Sequence, residues 1–451
     1  MPVELGADPD GDYPSSATGW YVTFVLVLAY MVSYVDRTML TLLVDPIRKT
    51  LQISDLQISL LHGFAFAIFY TILGLPMGRI ADRYNRRNLI VVGIAFWSVM
   101  TSVCGLARSF GQMFAARVGV GVGEATLSPA AYSILSDYFP PDKRARVLGV
   151  YTSGIYLGAG LATFGGGALI MAVEATTLPV IGFREPWQIV FLLIGLLGIP
   201  VALMLATVPE PRRRGMLGRS KPAVLPYSAV FKYLWQRKRA YFALFFGTAA
   251  YALMTNGLKG WIPTFLMRVF ELTPAQVGLW FGLILILFGS AGTAAGGFGS
   301  VALRRRGHPD SNLKVGILAA MAILPLGIIA PLMPTAAASL GVYCAVIFLA
   351  GVPFGVAAAA VQEITPNEMR GQMSAIYLSF VNIAGIGVGP MIVAFFTDKV
   401  FGRDSAVGWS LACIVAIGAP LAMLLLSLGL RPYRRALDDG RAASGALRPT
   451  V

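Results

Sequence analysis

Five charged side chains lie well inside apolar stretches of this chain: Asp36 and Arg37, Arg117 and Glu124, and Lys259. A charge at the centre of a bilayer costs roughly 2.5–3.5 kcal/mol even on lenient insertion scales, so such groups pair, or face water, or do both. Tyr30, Ser33, Tyr34, Arg37 and Thr41 fall at i, i+3, i+4, i+7 and i+11 and share one helix face. Asp36 is turned about 100° from that face. Arg117, Gly121, Glu124 and Ser128 form a second stripe. We expect Arg37 to meet Glu124, and Asp36 or Glu124 to neighbour Arg117. An acid beside an arginine stays ionised, whereas an acid left alone in an apolar chamber takes a proton. If a conformational change alters which partner is near, protonation is coupled to it. The alternative is a permanent ion pair that only makes two charges bearable. The switch is the expectation for Glu124, Asp36 is open between the two readings, and Arg117 is expected to pack its helix. Lys259 either reaches the interface or offers a cation to an anionic substrate.

These residues need long apolar helices to hold them. Of 451 residues, 56 % are hydrophobic and 13 % charged, about half the charge of a soluble domain. Mean hydropathy is +0.70. Disordered chains, disulfide scaffolds and ordinary soluble enzymes are excluded. Apolar runs long enough to span a bilayer cover 20–44, 57–78, 88–107, 110–137, 147–173, 187–208, 239–266, 274–303, 313–333, 337–362, 372–397 and 407–430. The expected fold is an all-α membrane protein of twelve transmembrane helices. Cys104, Cys344 and Cys413 fall inside these runs, so no disulfide framework is expected. The acidic first 19 residues lack the pattern of a signal peptide.

With the N-terminus placed inside, the inner loops and C-terminal tail hold 26 Lys and Arg and the outer loops hold 7. That bias predicts cytoplasmic termini. It also assigns the net charge of +14 to topology and anionic lipid rather than to nucleic acid. The expected organisation is a tail (1–19), a first six-helix bundle (20–208), a linker (209–238), a second bundle (239–430) and a tail (431–451). Within the linker Tyr227, Val230, Phe231, Leu234 and Trp235 recur at helical spacing. They suggest a short amphipathic helix, with a structureless charged linker as the alternative. The bundles repeat. Asp137, Pro140 and Arg144 recur 226 positions later as Glu363, Pro366 and Arg370, and Tyr151 and Ser153 as Tyr377 and Ser379. Two repeated six-helix halves mark a transporter with its site between them.

The run Gly78-Arg-Ile-Ala-Asp82-Arg83-Tyr-Asn85-Arg86-Arg87 resembles the loop motif between helices two and three of major facilitator superfamily transporters. Arg117-Val-Gly-Val-Gly121-Val-Gly123-Glu124 resembles that superfamily's helix-four motif. Asn85 stands where the motif has its second glycine, and we expect it to carry the left-handed turn. Together with Asp36-Arg37 and Gly123-Glu124-Ala125, the motif is similar to spinster-like members, in a bacterial form. Eukaryotic spinster-like proteins are associated with sphingolipid and lysophospholipid export.

The resemblance implies two pseudo-symmetric bundles of the major facilitator fold, with helices one, four, seven and ten lining a central cavity. It further implies a cytoplasmic gate of Gly78, Asp82, Arg83, Arg86, Arg87, Asp137, Arg144, Glu363 and Arg370. In that gate Asp82 docks at the start of span eleven and Arg86 or Arg87 pairs with Asp137. The alternative is that the loop arginines only signal topology. The second half is mostly small or apolar (Leu349 to Ala360 in span ten), which suits the tail of an amphipathic anion whose head sits on Arg37. Gly351, Pro353 and Gly355 loosen span ten for bending.

There is no Gly-x-x-x-x-Gly-Lys-Ser/Thr loop for ATP. His62 and His308 stand apart from any Cys or His cluster, so neither a metal nor a cofactor is expected. His62 is expected as a packed polar residue. Gly119 to Gly123 imitates a dinucleotide fingerprint but has no strand before it. The expected protein is a monomeric secondary active transporter in the bacterial inner membrane, not an enzyme. Its partners are protons, membrane lipids and a small amphipathic or anionic, lysolipid-like or sphingolipid-like substrate. The alternatives are a proton-coupled carrier of sugars or organic anions and, further off, a channel or a gradient-independent lipid flippase.

Overall fold

The computed structural model describes residues 13–175, 185–211, 226–366 and 369–445; the side chains of Asp82 and Arg144 are not among what it describes. The described residues are helical almost throughout and form twelve spans. The first half contributes Ser16–Leu42, the stretch from Asp55–Ser59 to Ala65–Arg83, Arg86–Gly105, the pair Phe110–Glu124 and Leu127–Tyr138, Pro141–Ala175 and Pro186–Ala206. The second contributes Lys238–Phe270, Pro274–Ile284 continuing to Ser290–Arg305, Ser311–Ile329, Ala336–Glu363, the stretch from Arg370–Asn382 to Gly389–Phe395, and Val407–Gly445. Ten of the twelve are long and apolar enough to cross a membrane; spans four and seven, which carry Arg117, Glu124 and Lys259, are the other two.

The ends of these helices follow local chemistry. Ser54 with Gln57 and Thr273 with Gln276 form capping boxes that start spans two and eight. Ser109 caps span four, and left-handed Glu271 closes span seven. Asn85 departs from its expected turn. Its φ is −63° and its side-chain oxygen accepts the backbone N–H of Asn88 as the N-cap of span three. A side-chain acceptor satisfies the orphan donor, so no left-handed residue is needed there.

Val92, Phe96, Val99 and Val103 of span three are exposed along one stripe, as are Ile417, Leu421, Leu424 and Leu428 of span twelve. Stripes of this kind face lipid. Within the linker a helix forms at Tyr227–Gln236; Val230 is buried against the second half while Phe231 and Trp235 stay exposed.

The packing differs at the two faces. On the face away from the linker, a single hydrophobic cluster runs through both halves, from Met39, Leu43 and Ile47 to Trp261, Phe265 and Val277. Toward the linker face each half has its own core, one around Trp97, Ile134 and Tyr151 and the other around Tyr241, Ala360 and Tyr433. Glycines allow the close approach at the waist. A Cβ on Gly63, in the π-helical turn Leu60–Phe64 of span two, would lie 2.0 Å from the carbonyl oxygen of Ile386 in span eleven. On the other seam, Gly160 and Gly282 bring spans five and eight together in the same way.

Candidate functional site

Span four holds the centre of the site. Gly121 and Gly123 let spans two and three press close: a Cβ at either would lie under 3.0 Å from Phe66 or Trp97. The helix breaks directly after Glu124, where Ala125 and Thr126 form a turn before Leu127 resumes it. Glu124 is thereby presented at a helix end, fully buried.

Arg37 reaches Glu124 from span one. Its Nε donates to Glu124 Oε2 at 2.7 Å, its Nη2 donates to the same oxygen, and the Ser33 hydroxyl donates to it as well. Oε1 of the carboxylate is buried and has no hydrogen-bond partner. The guanidinium lies over the rings of Phe66, Tyr34 and Tyr70, with centroids 4.1, 4.9 and 5.0 Å away. Tyr30 stacks on Tyr151 at 4.8 Å, and Tyr34 and Tyr132 meet that pair edge-on. The result is one cation and one carboxylate in an aromatic, hydroxyl-bearing chamber.

Asp36, one residue earlier, faces into the first half. Arg117 Nη1 donates to its Oδ1 at 3.1 Å and the Thr101 hydroxyl to its Oδ2 at 2.6 Å. Arg117 Nε also donates to the Leu61 carbonyl. This cluster ties spans one, two, three and four together without reaching the chamber surface: Asp36 is 2 % exposed and Arg117 fully buried. Lys259 is half-buried in span seven and makes no ion pair among the described residues. His62 packs against Gly260 at the seam between the halves.

At the linker face, buried Arg86 pairs with Asp137 and, at 2.8 Å, with Glu210, and it donates to Ser133 and the Pro211 carbonyl. The Arg87 backbone N–H donates to Glu210. In the other half Glu363 accepts from Arg304, Asn312 and Tyr433. Arg370 donates to the carbonyls of Gln362 and Thr365. Gly78 lies toward Pro129, and Arg83 is exposed. Every described ion pair on this face stays inside one half.

The opposite face is sealed by residues that sequence reasoning counted only as loop charges. Arg268, at the end of span seven, pairs with Asp45 and Asp55 of the first half, both at 2.6 Å. Arg48 pairs with Asp404 of the second half at 2.7 Å and with Asp55 at 3.2 Å. The Leu56 N–H donates to Asp398, and the Ser59 hydroxyl to the Pro390 carbonyl. A usable signal was present: carboxylates and arginines alternate at the ends of spans one, two, seven and eleven. This face is therefore tied across the two halves by ion pairs, whereas at the linker face no ion pair among the described residues crosses between them.

The family model of the Major Facilitator Superfamily matches residues 26–390. The chain is 27 % identical over 419 residues to an MFS-type efflux pump of Mycolicibacterium smegmatis, covering 92 % of this chain and 94 % of that protein. It is 24 % identical over 411 residues to the hexuronate transporter of Bacillus subtilis, covering 89 % and 93 %. A solved bacterial homologue of the human lysosomal transporter spinster, inward-facing and unoccupied, superposes with a TM-score of 0.76 at 27 % identity, covering 94 % of this chain and 98 % of that one. Twelve helices in two halves, buried charge pairs within the first half and these likenesses agree: the chain belongs to the major facilitator superfamily, where it is similar to spinster-like transporters.

Proposed function

We propose that the chain is a secondary active transporter that carries an amphipathic organic anion by alternating access, coupled to protons at Glu124. The linker face is taken as cytoplasmic from its excess of Lys and Arg, and the cross-half ion pairs at the opposite face support an inward-facing reading. The carrying observation is the partnerless oxygen of Glu124 beside a shared Arg37. A buried unsatisfied carboxylate oxygen is rare in folded proteins. A substrate anion that takes Arg37 away leaves Glu124 in an apolar pocket with Ser33, Tyr34 and Tyr70 as its polar neighbours, and there it takes a proton. Anion and proton then load together, the chamber is neutral, and the halves can rock. Asp36, already held by Arg117 and Thr101, takes no part in this exchange.

Two features support an amphipathic substrate. Apolar Ile72 of span two and Leu378 of span eleven, two helices that meet across the halves, are exposed. Span ten offers an apolar wall that includes Phe354. A sugar acid is the second reading. It draws on the hexuronate transporter relative and on the two tyrosines, Tyr34 and Tyr70, that flank Arg37.

The test is flux in proteoliposomes, comparing a lysophospholipid with a hexuronate, with and without a pH gradient. The expected result is gradient-stimulated transport of one of these, and Glu124→Gln exchange that no longer responds to pH. Wild-type pH dependence in Glu124→Gln removes that residue as the coupling site. Transport of neither anion removes the substrate reading.

A further inference from the structure

Away from the central chamber, spans eight, nine and ten enclose a cavity of about 360 Å³. That volume lies within the range of small-ligand sites, roughly 300–1,000 Å³. It opens on the outer surface of the second half, where Ala302 of span eight and Leu318 of span nine are exposed. Its wall on span eight is a stripe of Ala295, Gly299, Ala302 and Arg306, and Val352 of span ten closes the far side. Eleven residues of helix separate the ends of the stripe, about 16 Å at 1.5 Å per residue. The hydrocarbon core of a bilayer is about 30 Å thick. The trough is therefore one leaflet deep, and it is apolar along its whole length until it meets a guanidinium at the linker face.

That guanidinium is free. Arg304 is engaged with Glu363, but exposed Arg306 has no ion-pair partner among the described residues, and no acid lines the cavity. The floor is hollow because of a glycine: a Cβ at Gly299 would find only Val315 Cγ2, at 3.8 Å. A protein helix about 10 Å across does not fit a volume this small, whereas a single acyl chain does. Basic pockets between helices on this face select anionic head groups.

We propose that this trough binds one anionic phospholipid from the leaflet on the linker face. One acyl chain lies along the Ala295–Ala302 stripe and the phosphate sits on Arg306. The site is separate from the transport chamber and does not depend on what that chamber carries.

The test is native mass spectrometry of the full chain released from membranes of equal phosphatidylglycerol and phosphatidylcholine. The expected wild-type result is one retained phosphatidylglycerol, preferred at least fivefold. Gly299→Leu, which fills the trough, should lose the retained lipid. Arg306→Gln, at the exposed end, should keep a lipid but lose the preference. Gly297→Leu has open space around it but stands off the stripe, so it should behave as wild type. An unchanged phosphatidylglycerol preference in Arg306→Gln overturns the proposal, even if Gly299→Leu fails to fold. So does a protein dimer that Gly299→Leu abolishes, because the trough would then belong to a second copy.

Discussion

Asp36 and Arg37 are adjacent in the chain, and each meets an opposite charge on span four. The two pairs nevertheless live in different surroundings. At Asp36–Arg117 both carboxylate oxygens are bonded, by Arg117 and the Thr101 hydroxyl, and four helices lock around the pair, although Arg117 Nη2 is left without a partner. The Arg37–Glu124 pair is open: Arg37 keeps 13 % of its side chain accessible, aromatic faces surround it, and one Glu124 oxygen has no partner. A step of about 100° around one helix separates a fastening from a switch. A charge inside the membrane is therefore not by itself a mark of function. What matters is whether the acid keeps an oxygen unbonded and its arginine stays within reach of another partner.

Each pair can be broken to sharpen this contrast. The largest effect is expected for Asp36→Asn, which strands Arg117 in the core. Loss of one partner of a buried pair costs about 3–5 kcal/mol, so thermal unfolding in detergent should show a large drop in Tm. A Tm near wild type would place Asp36 with the switch instead. Next is Arg268→Ala, which removes the seal of Asp45 and Asp55. Hydrogen bonds to charged groups are worth about 1.5–3 kcal/mol each, and about 1.4 kcal/mol is tenfold in population. Labelling of a cysteine at Ser59 should rise at least tenfold, and unchanged labelling would show that the seal lies elsewhere.

Glu124→Gln comes third in stability. Arg37 also loses its counter-charge, but unlike Arg117 it is 13 % accessible and lies over three aromatic faces, so the cost is smaller, about 1–2 kcal/mol. Its melting curve should sit close to wild type while its transport loses pH dependence. A Tm loss as large as that of Asp36→Asn would erase the distinction between the two pairs. The smallest effect is expected for Arg48→Gln. Asp404 is half exposed, and such pairs contribute about 0–1 kcal/mol. Any shift should vanish at high salt, and persistence in salt would mean that the contact with buried Asp55 dominates.

Much of this was legible from residue order. Twelve spans, two halves and the meeting of Arg37 with Glu124 follow from apolar length, an internal repeat and 3.6-residue spacing. Those properties are local, or repeat locally. The choice of Asp36 for Arg117 followed only partly, because two acids were within reach of one arginine. Thr101 was not foreseen, since a single hydroxyl in an apolar helix gives no pattern. The Asn85 turn was misjudged because a side-chain cap and a left-handed turn both suit asparagine. The seal of Arg268 with Asp45 and Asp55 was missed because its members lie more than 200 residues apart and each looks like an ordinary loop charge.

Composition and periodicity alone determined that this chain crosses a membrane many times and that its few buried charges must find partners. Burying an unpaired ion in lipid costs too much for any other outcome. Only the tertiary structure decided which partner each charge takes and which face of the molecule is tied across the halves. Both depend on helices from distant parts of the chain meeting at close range, and glycine contacts and pair geometry in space set that meeting rather than the order of residues.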